Sequence, residues 1–90
     1  MNDHVRKKKD FELTIKKGNV LIVCDRLDAY NFHAKLGTLT PEELKEFDKY
    51  KEMGQSFLGT SIDDVDEIVS GLRTQIANIE EMLVENRSKT

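Results

Sequence analysis

The chain is poor in the residues from which chemistry is most often built. It has one cysteine, one proline and no tryptophan among 90 residues. A lone cysteine makes neither an internal disulfide nor a cysteine-based metal cage. The only histidines are His4 and His33; no His-x-x-x-His or Cys-x-x-Cys spacing occurs, so a zinc site would need scattered ligands. No apolar run approaches the roughly 18 residues of a membrane span. The segment MNDHVRKKKD leads into no apolar signal core, so a reducing, cytoplasmic setting is expected. The five glycines form no phosphate-binding fingerprint, because KKGN and EMGQSFLGT lack its spacing and its Lys-Ser/Thr ending. Together these absences weigh against enzyme, metal and membrane classes, and no cofactor is expected.

Charge is what the chain has most of. Charged residues make up 34%, above the roughly 25% usual in soluble domains. The apolar 38% still suffices for a fold, and the length suits a single domain over 1–90. Net charge is −3 and unevenly spread. Residues 1–18 set Arg6, Lys7, Lys8, Lys9, Lys16 and Lys17 against Asp3, Asp10 and Glu12, whereas acidic residues dominate the remainder. Residues 1–9 read as a basic, flexible tail.

Residues 11–24, FELTIKKGNVLIVC, read as a β-hairpin. Phe11, Leu13 and Ile15 alternate with Glu12, Thr14 and Lys16, the period of a half-buried strand. Lys17-Gly18 supplies a tight turn, and a two-residue loop there pairs Ile15 with Val20, Leu13 with Ile22 and Phe11 with Cys24. Leu21 and Val23 then face the opposite side. Residues 25–37 admit two readings. Tyr30, Phe32, Ala34 and Leu36 alternate as in a third strand, the reading preferred on period. Alternatively Asp25 caps a helix closed by Gly37, whose apolar residues split into Leu27/Tyr30/Ala34 and Ala29/Phe32/Leu36 and require burial on both sides.

A helix is expected over 40–53. Thr40 is its N-cap, Pro41 its first residue and Glu43 the closing member of a capping box. Leu39 and Leu44 occupy the staple positions, Leu44 and Phe47 the core face (extended by Tyr50 or Met53), and Gly54 the stop. A long helix is expected over 61–87, capped by Ser61, with Asp63, Asp64, Asp66 and Glu67 complementing the positive end of its dipole. Heptad columns Ile62, Val69, Ile76, Leu83 and Val65, Leu72, Ile79, Asn86 make a nearly unbroken apolar stripe, widened by Ile68 and Met82. Residues 62–86 as one helix span about 37 Å, against a diameter of roughly 31 Å for a compact chain of this length. Part of the stripe should therefore face water in a monomer, so Ile62, Val65, Val69, Leu72, Ile76, Ile79 and Leu83 are the expected oligomerisation residues, with a dimer favoured.

The fold class expected is α+β: a hairpin or three-stranded meander, then a short and a long helix. The expected function is a non-enzymatic, self-associating interaction module, an adaptor or regulator of another protein, with Leu21, Val23, Tyr30 and Phe32 as its contact surface. The competing class is a dimeric nucleic-acid binder using Arg6, Lys7, Lys8, Lys9, Lys16 and Lys17, against which stands the plainer role of keeping an edge strand soluble. The remaining class is a small enzyme built on Cys24 or His33, which would need folding to bring the two together.

Overall fold

A computed structural model describes residues 3–88, and among them are three helices and no strand: α1 (Asp3–Leu36), α2 (Pro41–Leu58) and α3 (Val65–Ser88). The fold is all-α, which overturns the α+β expectation. The hairpin over 11–24, the strand over 25–37 and, from Asp3 on, the tail over 1–9 are all parts of α1; Met1 and Asn2 lie outside the described residues.

The misleading alternation has a helical cause. Residues two apart on a helix sit about 200° apart, so apolar residues placed alternately on two opposite faces reproduce the period of a strand. Leu13, Val20 and Cys24 belong to a row spaced 3–4 along α1, comprising Arg6, Asp10, Leu13, Lys17, Val20, Cys24, Leu27, Asn31 and Ala34. Phe11, Ile15 and Ile22 lie on the opposite side. Gly18 is no turn: it lacks a positive φ, and a Cβ there would meet open space. The true stop is Gly37, at φ 70°, as in the helical alternative for 25–37, although the helix begins far upstream of Asp25.

The α2 start matches expectation. The Thr40 hydroxyl accepts from the Glu43 N–H at 3.2 Å, and the Glu43 carboxylate accepts from the Thr40 N–H at 2.9 Å. Its end does not match, because the helix runs through Gly54 to a left-handed Gly59 at φ 68°. Gly54 marks a close approach instead. A Cβ there would lie 2.7 Å from Ile68 Cγ2 and 3.3 Å from Leu27 Cδ1. The start of α3 also shifts, from Ser61 to Val65. Asp64 caps it, accepting from the Asp66 N–H at 3.0 Å while its carbonyl accepts from the Ile68 N–H at 3.0 Å.

Both shorter helices run antiparallel to α1. Asn31 donates to Asp66, Asp28 accepts from Arg73, Lys17 pairs with Glu80 and Asp10 with Arg87, which fixes the direction of α3. Tyr30 packs on Phe47 and Tyr50, and Leu27 approaches Gly54, which fixes that of α2. Consequently α2 and α3 run parallel where they touch, and residues 59–64 double back between them, held by the Gln55 Nε2 donating to the Ile62 carbonyl.

The core lies where all three helices meet: Val20, Val23, Cys24 and Leu27 of α1, Phe47 of α2, and Ile68, Val69, Leu72 and Ile76 of α3. Beyond it α1 and α3 continue as a two-helix stalk around Leu13, Ile79 and Leu83, ending where Asn86 Nδ2 donates to the Arg6 carbonyl at 3.0 Å. The molecule measures 53 × 20 × 20 Å with a radius of gyration of 15.9 Å. The premise of a compact globule, from which an exposed α3 stripe was expected, is corrected by this elongated shape.

Candidate interaction surface

The α3 stripe has its partner within the chain. Val69, Leu72, Ile76, Ile79 and Leu83 are buried, and Ile62 and Val65 pack half-buried against the core. These seven residues face the chain's own helices. The expected contact set divides: Val23 is fully buried and Tyr30 is sandwiched against α2, while Leu21 and Phe32 are exposed. Leu21 and Val23 shared a face only on a strand.

A row of exposed apolar residues, interrupted at its middle by Asp25, is instead found on the outward side of α1. Phe11 is 67% exposed, Ile15 51%, Ile22 57%, Phe32 62% and Leu36 60%. Their positions follow the alternating 4–3 spacing of a helical seam, 11, 15, 18, 22, 25, 29, 32 and 36, with Gly18, Asp25 and Ala29 completing the row. The five large side chains together expose roughly 600 Å², at side-chain areas on the order of 200 Å² each. Near one end Phe57 of α2 extends it, lining a groove with Phe11, Ile15 and Asn19. Sequence reading found this row only in its last part, as the Ala29/Phe32/Leu36 face; counting in fours and threes from Phe11 would have recovered the rest.

Cys24 and His33 are not brought together. They are nine residues apart on one straight helix, about 13 Å along its axis. The Cys24 thiol is buried, 4.0 Å from the Val69 carbonyl, and burial pushes its pKa up against the weaker opposing pull of the Arg73 guanidinium. His33 is exposed, its Nδ1 lying 3.2 Å from the Thr38 hydroxyl. Among the described residues no three His, Cys, Asp or Glu side chains converge as metal ligands. The acidic cluster has local work: Asp64 caps α3, and Asp66 accepts from Asn31 and lies 3.5 Å from Lys35.

The basic residues do not form a single stripe. Successive residues turn by about 100°, so Lys7, Lys8 and Lys9 point three ways. Lys17 lies 3.6 Å from Glu80, and Arg6 is half-buried in the stalk seam. Lys9 and Lys16, seven apart, share one face, and Arg6 and Lys17 share another, the one turned to α3. Among the described residues no helix is long and apolar enough to cross a membrane. Comparison with family models, curated proteins and solved structures finds no match.

Proposed function

We propose that this chain is a non-enzymatic protein-interaction module, an adaptor or regulator, whose working surface is the outward face of α1. One observation carries the reading: a helix whose inward face is already packed presents a second apolar row, in 4–3 spacing, to solvent. A surface of that shape is complementary to another α-helix bearing an apolar seam. Large apolar side chains in register contribute most of the energy in such contacts, and their clustering distinguishes them from singly scattered surface residues.

The test replaces Phe11, Ile15, Ile22 and Phe32 together with Gln. All four are exposed and Gln favours helix, so the variant should keep its helical circular dichroism. Association, whether with itself in sedimentation or with host proteins in a lysate, should be lost. Retained association would place the working surface elsewhere, and unfolding would assign the row to the internal core.

A further inference from the structure

The outward row of α1 is self-complementary in one arrangement. We infer that its partner is a second copy of the chain, with the two α1 helices packed antiparallel about a two-fold axis near residues 23 and 24. This identification rests on the proposed interaction function and names the occupant of its surface.

In an antiparallel helix pair, the two kinds of seam position face each other. Applied here, Phe11 meets Leu36 of the second copy, Ile15 meets Phe32, Gly18 meets Ala29, and Ile22 meets Asp25; the two-fold axis repeats each pairing. The large side chains meet large ones toward the ends, and the two smallest residues meet each other, letting the backbones approach where no side chain fills the gap. Every seam position from 11 to 36 finds a seam partner with none left over. Length also suits, since 26 helical residues make a seam of about 39 Å. Roughly 600 Å² of large apolar side chain per copy, plus flanking Leu21, approaches the roughly 800 Å² per partner of a standard stable interface.

Charge selects antiparallel over parallel. A parallel, in-register pair would bring Asp25 against Asp25 inside the seam, a like-charge contact. The antiparallel pair sets each Asp25 opposite Ile22 of the other copy, so the two carboxylates lie in neighbouring layers and not face to face in one. A single polar residue at a seam position is a known means of fixing orientation at some cost in stability. The inward face of α1 is already occupied by α2 and α3, so nothing in the fold obstructs the outward one.

Orientation is tested by mixing two full-length chains, Ile15→Cys and Phe32→Cys, each carrying Cys24→Ala, under mild oxidation. Disulfides form only where Cα atoms approach to about 4.4–6.8 Å. The antiparallel pair yields predominantly the mixed 15–32 crosslink; predominance of 15–15 and 32–32 crosslinks overturns the orientation. In sedimentation, the wild type should dimerise at micromolar concentration, and Ile22→Glu should be a monomer of unchanged helicity. Asp25→Leu should associate at least tenfold more tightly. A wild type that stays monomeric at every accessible concentration overturns the self-pairing, while the interaction function is judged separately, by whether host proteins bind the wild type and not the four-Gln variant.

Discussion

Gly54 and Gly18 are both interior helical glycines, and replacing each with alanine should move stability in opposite directions. Alanine is favoured over glycine in a helix interior by about 1 kcal/mol, because glycine loses more backbone freedom on folding. At Gly18 a Cβ meets nothing within 4 Å, so that gain should appear nearly whole, at about 0.5–1 kcal/mol. At Gly54 the new methyl lies 2.7 Å from Ile68 Cγ2, 3.3 Å from Leu27 Cδ1 and 3.4 Å from Leu72 Cδ1. Ile68 cannot readily swing aside, since a β-branched side chain on a helix has one strongly preferred χ1 and this one is fully buried. Relief must come from moving α2 away from α3, and overpacking of that kind costs about 1–3 kcal/mol. Subtracting the helix gain leaves Gly54→Ala about 1 kcal/mol less stable than wild type, a fall of about 4–8 °C in melting temperature for a domain of this size. Urea and thermal denaturation followed by circular dichroism, at one fixed concentration at which sedimentation shows a monomer, measure both variants. Equal or greater stability of Gly54→Ala would refute the close α2–α3 approach, and loss of stability at Gly18 would refute the open helical setting assigned to it.

Three further outcomes are expected. The Glu43 carboxyl is held below its ordinary pKa by the Thr40 backbone N–H first and the Thr40 hydroxyl second, so its contribution to the α2 cap is present above the unfolded-state pKa and is lost as pH falls through the folded one; Thr40→Ala should destabilise by about 0.5–2 kcal/mol and raise the Glu43 pKa, read by carboxyl NMR titration. The buried Cys24 thiol should resist alkylation at pH 8 in the folded chain and react on adding denaturant, with modification followed by mass spectrometry. Changing Lys7, Lys8 and Lys9 to Ser should leave folding intact, and the wild type should bind DNA only weakly; sub-micromolar affinity at physiological salt, falling with a log–log slope near −0.9 per phosphate contact, would show that the scattered cations act together.

What was legible in the sequence follows the range of the interactions involved. Thr40, Pro41 and Glu43 announce the α2 start because a capping box is satisfied within four residues. The α3 heptad is equally plain, since Val69, Leu72, Ile76, Ile79 and Leu83 are apolar without interruption. Its partner was not legible. The matching row on α1 carries Asp10, Lys17 and Asn31, whose acceptability depends on Arg87, Glu80 and Asp66 far along the chain. With the inward row so diluted, and the outward row of Phe11, Ile15 and Ile22 interleaved with it, alternation outweighed the 3–4 spacing. Gly54 and Gly59 show the same limit: which glycine ends α2 is decided by α3, which Gly54 must let close.

The stalk has a consequence for how the protein is made. Its two strands of packing join the start of α1 to the end of α3, and the Arg6 carbonyl and Asn86 side chain that meet there are 80 residues apart. A ribosome adding about 5–20 residues per second needs roughly 4–16 s to travel between them. For the later part of that interval the first half of α1 is outside the ribosome while the end of α3, which covers its inward face, is not yet made. On a message read by several ribosomes, neighbouring nascent chains expose this same segment together, so the outward faces can meet before the inward faces have closed. If the copies pair as proposed, assembly order is written into chain order, with pairing open to begin before the folding of each is complete.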